Sequence, residues 1–358
     1  MSQPAVQEAQ VAVDDEVQVA VDDEQDDSYS EIGTSIASSS TSLLSSLREY
    51  QQEHGRTYHR YKEGKYNMPN DDKELDRLDF IHALCRLALD DKYGLAPPNQ
   101  DNAVVGRVLD VGTGTGIWAI EFGEEHPEAD ILGVDLSATQ PGSVPSNVRF
   151  EVDDIEDEWI FSQPFQYIHC RYISGGISDW SRFIRRCYEN LEPGGYLEIQ
   201  ETDINVRSDD GTLKPEHALS RWGQLIMEAF LKLGAAPFDP LILKDLMVDA
   251  GFEDVSMSLY KFPTNTWPKE GKFKELGMWN HQNFMDGVEA VTMAPLTRAL
   301  EWTPEEVSVF LIDVRKNGKD RSIHGYWPQY IFVGRKPEEK KEYEEKKENV
   351  PAPAPAPA

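Results

Sequence analysis

Between residues 104 and 200 the apolar residues come in short runs, each closed by an acid, a glycine or a turn. Such runs stand at 107–111, 131–135, 148–154, 165–169 and 195–199. Short continuous apolar runs bounded by turn signals read as strands buried on both faces. Helix-compatible stretches lie between them, as at 117–122. This alternation predicts an α/β domain with a parallel, doubly wound sheet and right-handed crossovers. Upstream, Leu75, Leu78, Ile81, His82, Cys85 and Leu89 recur at a spacing of three to four, which predicts a helix over 71–92. Downstream, helices are expected near 215–234 and 239–250. Residues 255–262 alternate and read as a sixth core strand, and 330–333, from as early as Trp327, as a seventh.

Residues 264–325 separate those last two strands. They are rich in Trp267, Phe273, Met278, Trp279, Phe284, Met285 and Met293. A long ordered insertion beside a ligand crevice is a lid or a binding wall, unless the apolar stripe is spent on a local core. Trp279 is the residue that decides between these, as a pocket wall or as a core anchor.

The first strand carries the most specific chemistry. Residues 107–118 read Arg-Val-Leu-Asp-Val-Gly-Thr-Gly-Thr-Gly-Ile-Trp. A strand ends beside Asp110, then Gly112, Gly114 and Gly116 lead into a helix. Glycine serves where backbone turns tightly or approaches a ligand without a Cβ in the way, and the helix start offers free N–H groups. A dinucleotide fingerprint is Gly-x-Gly-x-x-Gly, shaped around a pyrophosphate. Here the spacing is Gly-x-Gly-x-Gly, which argues against a dinucleotide oxidoreductase. S-adenosylmethionine (SAM) carries no phosphate. Its ammonium suits Asp110, directly or through water, and its carboxylate suits the glycine N–H groups. Asp135 closes the second strand, where a carboxylate accepts both ribose hydroxyls; dinucleotide enzymes use an acid in the same place. Asp154 closes the third and can accept from the adenine amino group, with Ile155 packing on the ring.

These motifs, in this order, resemble a class I SAM-dependent methyltransferase. More narrowly, the chain is similar to the LaeA-like fungal methyltransferases. The narrower likeness rests on residues 110–120, 135–141 (Asp-Leu-Ser-Ala-Thr-Gln-Pro), 145–154, 168–171 (Ile-His-Cys-Arg) and 191–198 (Leu-Glu-Pro-Gly-Gly-Tyr-Leu-Glu), with Gly-Arg-Thr-Tyr-His at 55–59 and Ala-Gly-Phe-Glu-Asp-Val at 250–255. The resemblance implies a seven-stranded Rossmann-like methyltransferase sheet with a helical N-terminal arm and a helical insertion. It places the arm near the cofactor, as a cap. It implies SAM as cofactor and methyl transfer to an unidentified acceptor, expected to be a small molecule of secondary metabolism. It also implies an alternative, a regulatory methyltransferase working in a nuclear protein complex.

An activated methyl group needs alignment more than acid–base help, so a catalytic residue is not compulsory. His169, expected at the end of the fourth strand, is the candidate base; a histidine near neutral pKa can take a proton. Arg171 is expected to pair with Asp154, Glu201 to contact a polar acceptor, and His281 is a weaker candidate.

Composition narrows the partners. The 358 residues carry a net charge of −29, which disfavours nucleic acid as a main partner. No apolar run is long enough to span a membrane. Three cysteines, Cys85, Cys170 and Cys187, have no metal-type spacing and suit reduced thiols. The expected location is cytoplasmic, or nuclear. Four regions are expected: an acidic, Ser-rich disordered tail at 1–46, an arm and helix at 47–103, the methyltransferase domain at 104–336, and a charged, Pro-Ala tail at 337–358. The first tail repeats Gln-Val-Ala-Val-Asp-Asp-Glu at 10–16 and 18–24. A protein partner is expected through this tail or through the insertion.

Overall fold

The computed structural model describes residues 50–59, 62 and 65–338, all within one compact unit. The expected tail at 1–46 and nearly all of that at 337–358 lie outside the described residues.

The chain opens with a short hairpin, β1 (Gln51–Glu53) and β2 (Arg56–Tyr58). His54 and Gly55 both take positive φ at its turn, the backbone that a two-residue hairpin turn requires. The arm, expected to be helical, thus begins as a strand pair; its helix comes later, as α1 (Asp72–Ala88). Asp71 caps α1 by accepting from the Glu74 N–H at 3.1 Å and is itself held by Arg56.

The core sheet has seven strands, β3 (Arg107–Val111), β4 (Asp130–Asp135), β5 (Val148–Val152), β6 (Phe165–Arg171), β7 (Leu191–Thr202), β8 (Glu253–Pro263) and β9 (Tyr326–Arg335). Their order is β5-β4-β3-β6-β7-β9-β8. Only β9 runs against its neighbours. The order reverses at β3, so a crevice opens between the carboxyl ends of β3 and its neighbours, where ligands bind in doubly wound sheets.

Helices cover both faces. On one, α3 (Trp180–Glu189) and α5 (Pro240–Asp249) bury Phe183, Ile184, Leu243 and Met247 against Leu109, Ile168 and Leu197. On the other, α2 (Ile117–Glu125) buries Trp118 and Phe122 against Val108, Ile131 and Tyr167. Strand residues that alternate between the two clusters are the mark of a sheet buried on both sides. The expected helix–strand alternation fails in one stretch. The connections β4–β5 and β5–β6 carry no helix, because 136–147 and 153–164 hold prolines, glycines, serines and acids in place of a periodic apolar stripe.

The insertion at 264–325 folds as α6 (Gly271–Ala299) and α7 (Pro304–Lys319). Thr303 and Glu306 form a reciprocal capping box at the start of α7, with Pro304 in the first turn. Together with α4 (Ala218–Lys232) these helices build a third core around Trp222, Phe284, Val288, Leu311 and Trp327. Gly287 lets α1 approach α6: a Cβ there would stand 2.8 Å from the Arg77 Cδ. The arm is tied to α6 as well. Arg298 lies 4.7 Å over the Tyr58 ring, donates to Asn67 at 2.8 Å, and pairs with Glu53. Among the described residues, no helix is long and apolar enough to cross a membrane.

Candidate active site

The glycine loop after β3 takes positive φ at Gly112, Gly114 and Gly116 (+70°, +59° and +80°), the region that disfavours side chains. A Cβ at Gly112 would meet Ile173 at 2.6 Å, and one at Gly116 would run into the Phe150 ring. Backbone therefore forms the floor of the crevice. Asp135, at the end of β4, ties the loop down. Its Oδ2 accepts from the Gly114 N–H at 2.9 Å and its Oδ1 from the Ser137 N–H at 2.9 Å. Each oxygen keeps a lone pair, and the side chain lines the crevice. Burial pushes its carboxyl above the ordinary value, against the two backbone donors.

Asp110 is buried, with both oxygens engaged: Oδ2 by the Thr113 hydroxyl at 2.6 Å and Oδ1 by His169 Nδ1 at 2.7 Å. The β3–β6 register places Asp110 opposite His169. His169 stands inside β6, which runs on to Arg171, and not at its end. It is 1% exposed and stacks on Trp118 at 3.9 Å between centroids. Its Nε2 has no hydrogen-bond partner.

Asp154 is buried where expected, but Arg171 is not its partner. Lys65 and Lys62 of the arm pair with its Oδ2, and its Oδ1 accepts from the Glu156 N–H at 2.9 Å. Burial opposes ionisation of Asp154, yet the hydrogen bonds from Lys65, Glu156 and Lys62 prevail and hold its carboxyl below the usual value. Ile155 beside it lines the crevice. Arg171 donates to His82 Nδ1 at 3.1 Å, and His82 Nε2 meets Glu121 at 2.9 Å. Burial and the Arg171 charge lower His82 to about 4, so its ring is neutral and accepts from Arg171.

The crevice continues into a chamber, the whole enclosing about 350 Å³. Its far walls are apolar: Trp222 and Phe230 from α4, Phe284, Val288 and Val291 from α6, and Trp327 from β9. Phe284 and Trp327 lie 4.8 Å apart, and the Trp222 indole donates to Thr292 at 2.8 Å. The spacing 284, 288, 291 is one face of a helix, so this wall was readable as a stripe. Its partners Trp222 and Trp327 belong to distant elements, and nothing local announces them. Trp279 is absent from the wall. It stacks on Phe80 at 5.1 Å and packs near Leu84 and Leu276, pinning α1 to α6. His281 also stands outside the chamber, its Nδ1 3.0 Å from the Thr264 carbonyl oxygen.

Two glutamates on β7 differ sharply. Glu198 is fully buried and saturated, accepting from the Leu95 and Ala96 N–H groups at 3.0 and 2.8 Å, from Tyr167 at 3.1 Å and from Gln200 at 2.8 Å. It fixes the 93–99 loop, a role the sequence did not signal. Glu201 lines the chamber. Its Oε1 accepts from the Ile173 and Ser174 N–H groups at 2.7 and 3.0 Å, while its buried Oε2 has no partner.

A switch-point crevice floored by three glycines, with acids closing adjacent strands and the order β5-β4-β3-β6-β7-β9-β8, defines a class I methyltransferase. A family described as "Methyltransferase domain" matches residues 80–257. The chain is 43% identical over 301 residues to methyltransferase pytC of Aspergillus terreus, covering 84% of this chain and 92% of that one. It is 34% identical to the secondary metabolism regulator LAE1 of Cochliobolus heterostrophus, covering 80% and 95%. It is 32% identical to the protein-methionine methyltransferase laeA of Emericella nidulans, covering 82% and 78%. The chain belongs to the LaeA-like class I methyltransferases and is a SAM-dependent methyltransferase.

Proposed function

We propose that this enzyme methylates a small, largely apolar molecule held in the chamber between α4, α6 and β9. The observation that carries this is the continuity of the glycine-floored crevice with that apolar chamber. Concave, mostly apolar sites with a few polar groups suit small ligands. The residues fit SAM at Asp135, whose spare lone pairs suit the ribose, and at Gly112, Gly114 and Gly116, whose bare backbone suits close approach. Asp110 offers negative charge to the ammonium, and Ile155 an apolar face to adenine. Asp154 reaches the adenine amino group only by sharing its carboxylate with Lys65 and Lys62. When bound, SAM supplies a methyl already activated on sulfonium. The protein then aligns the acceptor and excludes water. His169 holds Asp110 in place, which favours a positioning role over that of a base.

Two of the relatives bear names of a regulator and of a protein-methionine methyltransferase, so a protein acceptor or partner is the second reading. Cytoplasmic residence belongs to the first reading, and nuclear residence to the second.

Val291→Trp tests the chamber. The added volume should block acceptor binding, so transfer falls at least tenfold while SAM affinity stays within about twofold by calorimetry. A stable variant with normal transfer would place the acceptor elsewhere.

A further inference from the structure

Glu201 stands apart from every other acid of the site. It lines the chamber, it is 1% exposed, and one oxygen is fixed by two backbone donors while the other has no partner. A buried carboxylate oxygen left without a donor is costly, and Glu198, three residues earlier on the same strand, shows that this protein saturates a carboxylate that only holds structure. Position separates Glu201 from the other cavity-lining group with an unpartnered atom, His169. The β6–β7 register pairs His169 with Glu198. Glu201 therefore lies three residues, roughly 10 Å at the rise of a strand, nearer the carboxyl edge where ligands bind.

We propose that Glu201 is the acceptor-binding base, and that the acceptor is an aromatic-sized apolar molecule presenting a phenolic or enolic O–H to its Oε2. The inference rests on the small-molecule reading of the chamber. Val291→Trp tests that reading, whereas the experiments below test only its polar end. In the reaction the O–H proton passes to Oε2. The acceptor oxygen forms its bond to the methyl carbon as the sulfur–methyl bond breaks, and that bond's electron pair stays on sulfur. Trp222, Phe284 and Trp327 supply flat apolar surface for the rest of the acceptor. Burial pushes the Glu201 carboxyl up to about 7, against hydrogen bonds from Ile173 and Ser174, which suits a base working near neutral pH. The tyrosines and the thiol around it are pushed away from that range. Burial raises Tyr66, Cys170, Tyr172 and, opposite on β9, Tyr330. Arg77 pairs with Glu74, Arg171 bonds His82, and Asp203 is held by Arg207.

Glu201→Gln keeps an oxygen for the Ile173 and Ser174 N–H groups and removes the base. The probes are 2-naphthol and naphthalene, followed by tryptophan fluorescence. The wild-type protein should bind 2-naphthol at least tenfold tighter than naphthalene at pH 8, and the variant should lose most of that preference. With SAM present, formation of the naphthyl methyl ether should rise with pH through about 7. In the variant it should fall roughly 100-fold or more, without the pH step, while SAM affinity stays within about twofold. The unliganded variant should melt above wild type at pH 8 and level with it near pH 4. A raised carboxyl pKa contributes stability at low pH that is lost as pH rises through the folded value. Equal wild-type affinity for the two probes, or no binding of 2-naphthol, overturns the proposal. So does an unchanged pH profile in the variant.

Discussion

Asp135→Ala is expected to weaken SAM binding on the order of 5- to 150-fold. The estimate follows from about 1–3 kcal/mol for hydrogen bonds to a charged acceptor, at about 1.4 kcal/mol per tenfold. Two losses combine. The ribose loses its carboxylate, and the glycine loop loses the bonds from the Gly114 and Ser137 N–H groups that set its path. Asp135→Asn keeps one acceptor oxygen and should fall between the two. Titration calorimetry measures both. Unchanged affinity in the alanine variant would remove Asp135 from the cofactor site.

Trp279→Ala should destabilise the fold and spare the chemistry of the remaining folded molecules. Its ring stacks on Phe80 and packs near Leu84, Phe262 and Leu276, where α1 meets α6. Truncating a half-buried tryptophan with an aromatic partner costs about 2–4 kcal/mol. For a domain of this size that lowers the thermal midpoint by roughly 4–15 °C. SAM affinity and transfer, measured well below the midpoint, should stay near wild type. A stable variant that had lost only acceptor use would return Trp279 to the pocket wall.

The crevice proposed for the cofactor was legible in the sequence; of the chamber proposed for the acceptor, only the α6 stripe was. Asp110, the three glycines and Asp135 are each fixed by a local pattern: a strand end, a tight turn, a second strand end. Such patterns survive without knowledge of what packs against them. The chamber is assembled from α4, α6 and β9, so its composition depends on helix rotation and long-range contacts. Rotation is what decides Trp279 between wall and core. It is next to Asn280, which lines the chamber, yet faces α1. His169 was misplaced by the strand boundary, since β6 runs two residues past it to Arg171. The pairing of Asp154 with Lys65 and Lys62 spans the arm and the sheet, and charge pairing across such a distance leaves no mark in the linear order. The hairpin at the start of the arm left only Gly55 as a turn signal, since Gln51-Gln52-Glu53 has no alternation of apolar and polar residues.

The central claim is that methyl groups leave this enzyme on a small molecule. Incubation with methyl-labelled SAM and a cell extract, followed by separation of small-molecule and protein fractions, tests it most directly. The account predicts label in the small-molecule fraction, lost with Val291→Trp and with Glu201→Gln. Label confined to protein, and unaffected by those two substitutions, would contradict it.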